Sequence, residues 1–159
     1  GMGKADLDAM SLPTTLPGST IINRPVEIAG GTYHITCASV GNPHCVVFCD
    51  DPSALDLETL GPKFERASYF PERINTEFVR IVNEDTLRMR VYERGNGETV
   101  ACGTGACAAV IAATENGFVE KGKDITVKLV GGDLVVKYTD HEVILTGDAV
   151  LVYEGVVEY

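Results

Sequence analysis

The stretch GNGETVACGTGACAAVIAAT, Gly95–Thr114, decides the fold that we predict for this chain. Within it, Gly105–Ala113 is small and apolar on every side, as is typical of a helix surrounded by protein. Cys102 directly precedes this helix, where the first backbone N–H groups have no partner inside the helix. The helix dipole there favours a thiolate, so we expect a lowered pKa at Cys102. The alternative is a small buried structural cysteine.

The segments around this helix show the alternation of β-strands. CVVFC, Cys45–Cys49, is instead an unbroken apolar run, typical of a strand buried on both faces. Leucines and a phenylalanine at near-helical spacing predict a second helix over about Ala54–Ala67. The other predicted strands are Ile21–Ile22, Val26–Ile28, Thr32–Ser39, Asn75–Val82, Leu87–Glu93, Ile125–Val130, Leu134–Tyr138, Val143–Leu145 and Ala149–Tyr159.

These elements predict an α+β fold. We expect a curved, mostly antiparallel sheet that wraps in a barrel-like way around one buried apolar helix, with the second helix outside. Residues 1–19 are interpreted as a tag remnant, Gly1-Met2, followed by an irregular lead-in rich in Pro, Ser and Thr. Residues 20–159 are interpreted as one domain, which is an ordinary size for a single core.

The charge and composition exclude several classes of partner. The net charge of −10 leaves no basic surface for a nucleic acid or an anionic membrane. No apolar run approaches the roughly 18 residues that a membrane span requires. The 5 cysteines are an odd number without regular spacing, which fits a reducing compartment, so we expect a cytoplasmic protein.

Two familiar motifs are weak alternatives here. Gly103-x-Gly105-x-x-Ala108 matches a loose dinucleotide fingerprint, but strands follow strands in the rest of the chain and the loop carries a cysteine. His44 with Cys45 and Cys49, or Cys102 with Cys107, offers soft metal ligands, but neither set has a zinc spacing. We interpret Cys37, Cys45, Cys49 and Cys107 as core residues and predict no metal.

Three segments of the chain together resemble diaminopimelate epimerase. YERGNGETVACGTGACA, Tyr92–Ala108, is similar to the second signature of that family, and GNPHCVVF, Gly41–Phe48, and RINTEFV, Arg73–Val79, are similar to two further segments in the same order. Proline racemases resemble the chain at the Cys-Gly-Thr-Gly stretch, but the preceding Glu93-Arg94-Gly95 is more similar to the diaminopimelate enzymes. Phenazine-pathway relatives do not use this cysteine.

The resemblance implies a cofactor-independent epimerisation, in which one thiolate removes the α-proton of a diamino diacid and an opposing thiol delivers a proton to the other face. It implies that Cys102 is one of these two bases, and that N–H groups near Gly103 and Thr104 hold the reacting carboxylate. The further roles that it implies are a carboxylate fork for Arg94, an ammonium contact for Glu93, contacts to the distal amino acid centre for Asn42 and Asn75, and polar support for His44.

The family pattern has a first half with a second catalytic cysteine in a Cys-Gly-Asn-Gly segment, and no such segment occurs in this chain. The resemblance therefore implies that residues 20–159 form the C-terminal half of a pseudo-twofold fold. The expected partners are the missing N-terminal half or a second copy in a homodimer, and the isolated chain is expected to be inactive or nearly so. A non-catalytic domain that binds an amino diacid, or a proline racemase-like isomerase, is the alternative function.

Overall fold

The computed structural model describes residues Gly1–Tyr159 and contains two α-helices and one sheet. A single 3-10 turn, Pro52–Ala54, precedes the first helix. The elements in chain order are β1 (Arg24–Ile28), β2 (Gly31–Ser39), β3 (Pro43–Phe48), α1 (Leu57–Glu65), β4 (Asn75–Asn83), β5 (Thr86–Glu93), β6 (Gly97–Thr99), α2 (Gly103–Glu115), β7 (Asp124–Leu129), β8 (Gly132–Tyr138) and β9 (Val143–Thr146).

The nine strands form one mixed sheet in the order β1-β2-β3-β4-β5-β7-β8-β9, and β6 pairs with β5. Six of the pairings are antiparallel, which confirms the predicted majority. The β3–β4 and β5–β7 pairs are parallel. A parallel pair requires a crossover, and α1 and α2 lie in the two crossovers.

Helix α2 packs against one face of the sheet, as the apolar stretch predicts. Every residue of Gly105–Ala113 is buried. Side chains from β3, β4 and β5, among them Val46, Val79 and Met89, pack with the helix in one core. Helix α1 lies on the opposite face, where Phe64 packs against Phe78 in a second core. The two cores bury β3 and β4 on both faces, so their start is held rigidly between the two helices.

The sheet does not close into a barrel, so the barrel-like part of the prediction is wrong. The edge strands β1 and β9 each have one partner and do not pair with each other. Val26 of β1 packs into the α1 core rather than curving on around α2. The N-terminal segment covers part of the opening, because the Met2 N–H donates to the Val143 carbonyl at 2.7 Å and Asp6 bridges to Ser39.

The C-terminal segment differs most from prediction. No strand follows Thr146, so the predicted strand Ala149–Tyr159 is wrong for this chain, and its apolar side chains are exposed. The alternating pattern is present, but no strand of the chain lies beside it. Helix α1, predicted over about Ala54–Ala67, is also shorter than predicted. It begins after Asp56, whose side chain caps it by accepting from the Thr59 N–H at 3.2 Å. Neither helix is long and apolar enough to cross a membrane.

Candidate active site

Four chain segments meet at one edge of the sheet. β3 and β4 run in parallel and begin together, so His44 lies beside Asn75 in register. β5 runs antiparallel to β4 and ends at this edge with Glu93. Helix α2 begins here too, with Cys102 as its N-cap residue. The topology therefore brings together residues that are up to 62 positions apart in the sequence, from Asn42 to Thr104.

Cys102 occupies an N-cap position that usually belongs to an oxygen-bearing side chain. Its backbone is extended, with φ −143°, and its Sγ accepts from the Gly105 N–H at 3.3 Å. Thr104 Oγ1 lies 3.5 Å from the same sulfur. The N–H groups of Gly103 and Thr104 donate to no acceptor within the chain. Two free donors at the positive end of a buried helix form a site suited to an anion, in contact with the thiol.

The pKa of Cys102 departs from the sequence prediction. Burial raises the pKa of this thiol above its ordinary value, and the nearby carboxylates of Glu77 and Glu93 raise it further. The hydrogen bonds from the Thr104 hydroxyl and the Gly105 N–H lower it, each by more than either carboxylate raises it, but burial and the carboxylates together outweigh them. The predicted lowering of the pKa is therefore wrong for this chain, because desolvation and two anions outweigh the donors at the helix terminus.

A buried polar chain leads from the sheet to the thiol. Nδ1 of His44 lies 2.6 Å from Oε1 of Glu77, and both side chains are fully buried. Nε2 of His44 lies 3.1 Å from Oδ1 of Asn42, whose Nδ2 donates to Thr104 Oγ1 at 3.3 Å. Asn42, His44 and Thr104 were predicted as site residues, and the structure connects them to Cys102 through hydrogen bonds.

Glu77 is the one residue of this chain of contacts that the sequence analysis missed. Its Oε2 is buried and has no hydrogen-bond partner. A Cβ at position 105 would lie 2.7 Å from Oε1 of Glu77, so Gly105 allows the helix to pass over this carboxylate. The signal was available, because a glutamate between Thr76 and Phe78 lies in the first half of the strand, Asn75–Val79, which is buried throughout.

The other predicted residues lie at the rim of the same edge. Asn75 is buried and tied to the backbone, since its Nδ2 donates to the Pro43 carbonyl at 2.9 Å and its Oδ1 accepts from the Arg94 N–H at 2.9 Å. The Arg94 side chain is exposed, with one weak contact to the Glu72 carbonyl at 3.4 Å. Glu93 accepts from the Thr99 hydroxyl. Asn75 therefore holds the backbone of Arg94 at the end of β5, from which the guanidinium extends into solvent.

The remaining cysteines make no hydrogen bond to the residues of this site. Cys37 and Cys45 face each other across β2 and β3 and are buried, and Cys107 is buried inside α2, which confirms them as core residues. A hydrogen bond with Cys37 and burial raise the pKa of Cys45, whereas burial raises the pKa of Cys107 to about 11. Cys49 is partly exposed. No group of three or more His, Cys, Asp or Glu side chains is placed to hold a metal ion.

The site lies on an open face of the molecule. The surface cavities of the chain are lined by other residues, and the largest, about 590 Å³, lies beyond Thr99 beside Tyr92 and Glu98. Cys102, His44 and Arg94 line none of them.

Comparison with known proteins identifies the family to which the sequence is related. A family model described as diaminopimelate epimerase matches residues 36–152. Diaminopimelate epimerase of Nostoc punctiforme is 46% identical over 158 residues, covering 97% of this chain and 56% of the relative. The enzyme of Acaryochloris marina is 44% identical over 161 residues, covering 99% of this chain and 56% of the relative. The chain thus spans about half the length of the curated relatives that it matches.

A solved structure shares the fold at low sequence identity. The crystal structure of a probable proline racemase from Agrobacterium radiobacter, with bound carbonate, superposes with a TM-score of 0.57. It is 13% identical and covers 78% of this chain and 45% of the racemase chain. From the match to the family model and the curated relatives, this chain belongs to the diaminopimelate epimerase family.

Proposed function

We propose that the chain is the C-terminal half, residues 20–159, of a cofactor-independent epimerase that converts LL- to meso-diaminopimelate. Cys102 supplies one of the two acid–base groups, and the other comes from an N-terminal half. The observation that carries the proposal is the placement of the Cys102 sulfur beside two free N–H donors at the start of α2. This is the pairing that α-proton transfer beside a carboxylate requires.

The chemistry follows from that placement. Removing an α-proton leaves negative charge on the adjacent carboxylate, and no electron-withdrawing cofactor takes it up in this proposal. The N–H groups of Gly103 and Thr104 would hold the carboxylate as its charge grows. A thiol exchanges protons readily near neutral pH, so the same group can serve as acid in one direction and as base in the other.

Substrate recognition is assigned to the rim. The exposed Arg94 guanidinium offers a planar fork to a carboxylate, and Glu93 offers a negative charge to an ammonium. Asn42 and Asn75 would face the distal centre. Asn75 acts partly by fixing the Arg94 backbone, since its side chain already holds two backbone groups.

The open face and the length of the relatives support the half-enzyme proposal. Cys102 lines no cavity in this chain, and the relatives are nearly twice as long. A proton acceptor on one face of the α-carbon cannot deliver a proton to the other face. We therefore expect the isolated chain to epimerise diaminopimelate slowly or not at all.

The test mixes this chain with the N-terminal half of the Nostoc punctiforme relative and follows deuterium uptake from solvent at the α-carbon of LL-diaminopimelate. We expect exchange in the mixture and none with either half alone. Cys102→Ser should abolish exchange, whereas Cys49→Ser, which alters a thiol remote from the site, should retain it. If the chain alone reached the rate of an intact relative, the half-enzyme proposal would be wrong. If the mixture and a covalent fusion of the halves were both inactive, the epimerase proposal would be wrong.

A non-catalytic domain that binds an amino diacid is the second candidate, and the raised pKa of Cys102 favours it. Thiol alkylation distinguishes the two functions. An epimerase requires that diaminopimelate protect Cys102 from iodoacetamide in the mixed halves and that alkylation of Cys102 abolish deuterium exchange, whereas a binding domain requires only saturable binding of the diacid. Homodimerisation through the open face is a further proposal, and sedimentation showing only monomer at high concentration would contradict it.

A further inference from the structure

The hydrogen-bond donors and acceptors around His44 leave few consistent arrangements. Both ring nitrogens face oxygen atoms, Oε1 of Glu77 at 2.6 Å and Oδ1 of Asn42 at 3.1 Å. A neutral imidazole has one donor nitrogen and one acceptor nitrogen, so it cannot satisfy two acceptors. The contacts are satisfied when Glu77 and His44 together carry one additional proton, with a hydrogen on Nε2 directed to Asn42.

The burial of the pair supports the same count of protons. Glu77 and His44 are both 0% exposed, and Oε2 of Glu77 has no partner. An ionised carboxylate in this position has only His44 to balance its charge, and an unbalanced buried charge is strongly unfavourable. A proton held between the two side chains leaves the pair neutral.

Asn42 connects the Glu77–His44 pair to Thr104, which lies beside the Cys102 thiol. With Oδ1 occupied by His44, the Asn42 Nδ2 donates to Thr104 Oγ1 at 3.3 Å. Because that oxygen is then accepting a hydrogen bond, the Thr104 hydroxyl hydrogen is free to point at the Cys102 sulfur, 3.5 Å away. If His44 lost the hydrogen on Nε2, the amide of Asn42 would turn over, and Thr104 would donate to Asn42 instead of to the sulfur.

We propose that Glu77 is a positioning residue that holds a shared proton with His44, and that Asn42 and Thr104 relay this state to Cys102 as a directed hydroxyl hydrogen bond. The titratable groups that face the cluster are Glu93 from the end of β5, Cys45 on β3, and Cys102 and Cys107 at α2. The inference rests on the proposed function only for the use that catalysis makes of Cys102.

The first measurement is ¹⁵N NMR of the histidine rings in the wild-type chain. His34 and His141 are exposed and supply reference signals in the same spectrum. We expect Nε2 of His44 to be protonated at neutral pH. An unprotonated Nε2 at neutral pH would overturn the proposal, and this result needs no variant.

The second measurement tests the relay through Thr104. In a Cys49→Ser background, the rate of Cys102 alkylation is compared between the chain with Thr104 and the Thr104→Val variant across the pH range. A hydrogen bond to a thiolate lowers its pKa by about one unit, and the accompanying loss of nucleophilicity leaves a rate advantage of about threefold. We expect Cys102 to react about threefold faster with Thr104 than in the Thr104→Val variant below the pH at which His44 loses its Nε2 proton. Above that pH, we expect the ratio of the two rates to be near one.

Two further variants complete the design. A glutamine at position 77 cannot share a proton with His44. In the Glu77→Gln variant, the pH at which the ratio of the two alkylation rates changes should therefore differ from that of the chain with Glu77. Thr76→Val, a change of the same size on the other face of β4, should leave the step in place. A ratio that is constant with pH, or a step that survives unchanged in Glu77→Gln, would overturn the relay. None of these measurements uses substrate, so the epimerase proposal is tested separately.

Discussion

Replacing Gly105 by alanine tests how tightly helix α2 is fitted over the buried carboxylate. The new Cβ would lie 2.7 Å from Oε1 of Glu77 and 3.2 Å from the Cys102 sulfur. The first distance is shorter than real Cβ contacts and the second is tighter than most of them, and Glu77 is fully buried. The helix or the carboxylate must move, and either movement breaks the 2.6 Å contact between Glu77 and His44.

The magnitude follows from three opposing effects. Overpacking in a filled core costs about 2 kcal/mol, and loss of a charge-assisted hydrogen bond costs about another 2 kcal/mol. Alanine returns at most about 1 kcal/mol of helix propensity relative to glycine. We expect Gly105→Ala to lower the free energy of unfolding by about 3 kcal/mol.

Urea unfolding followed by circular dichroism measures this change. Gly103→Ala is the matched control, because its Cβ meets only the end of the Leu145 side chain at 3.0 Å, which can turn aside. The control should alter stability by less than about 1 kcal/mol. If Gly105→Ala were as stable as the wild type or more stable, Glu77 would not be held against the helix, and the description of the buried polar chain would be wrong.

Three other predictions concern stability and association. Thr76→Val should stabilise the chain by about 1 kcal/mol in urea unfolding, because it removes a buried hydroxyl that has no partner, and a loss of stability would show that the hydroxyl is bonded. The free energy of unfolding should fall as pH rises from 9.0 towards about 11, because burial raises the pKa of Cys107 over that range. The folded chain holds this proton more tightly, so the stability is present at lower pH and about 2 to 3 kcal/mol is lost, a loss that Cys107→Ala should reduce. Deleting residues 149–159 should weaken concentration-dependent association, since Val150 and Val156 are 82% and 94% exposed, and a full chain that sedimented as a monomer at all concentrations would contradict this.

Helix α2 could be predicted from the sequence because its amino-acid composition indicates its environment. A stretch that is apolar on every side has no solvent-facing surface, so it must be enclosed by the strands around it. The sheet closure and the last strand could not be predicted in the same way. Alternation in Ala149–Tyr159 shows that two faces differ, but it does not say which strand lies beside it, and this chain supplies none.

The candidate site also contains residues that the sequence could reveal and one that it could not. Asn42, His44 and Cys102 were found from motifs and the resemblance, and the structure joins them, whereas Glu77 was passed over inside one of the quoted segments. Its importance depends on what lies above it, and that is a consequence of β4 passing beneath the start of α2. The predicted lowering of the Cys102 pKa was wrong for a related reason. The helix terminus is visible in the sequence, but burial and the approach of Glu77 and Glu93 appear only in three dimensions.

The raised pKa bears on which of the two roles Cys102 fills in the proposed reaction. A two-base epimerase needs one thiolate and one thiol at the start of each turnover, and it must reverse them for the opposite direction. Burial and two carboxylates favour the neutral thiol at Cys102, so this half is expected to enter the reaction as the proton donor. Acting in reverse would require Cys102 to lose its proton beside Glu77 and Glu93. The hydroxyl of Thr104 and the N–H of Gly105 are the groups placed to stabilise that thiolate, and their orientation depends on Asn42 and His44. The buried Glu77–His44 pair therefore matters most for the direction in which Cys102 is the base.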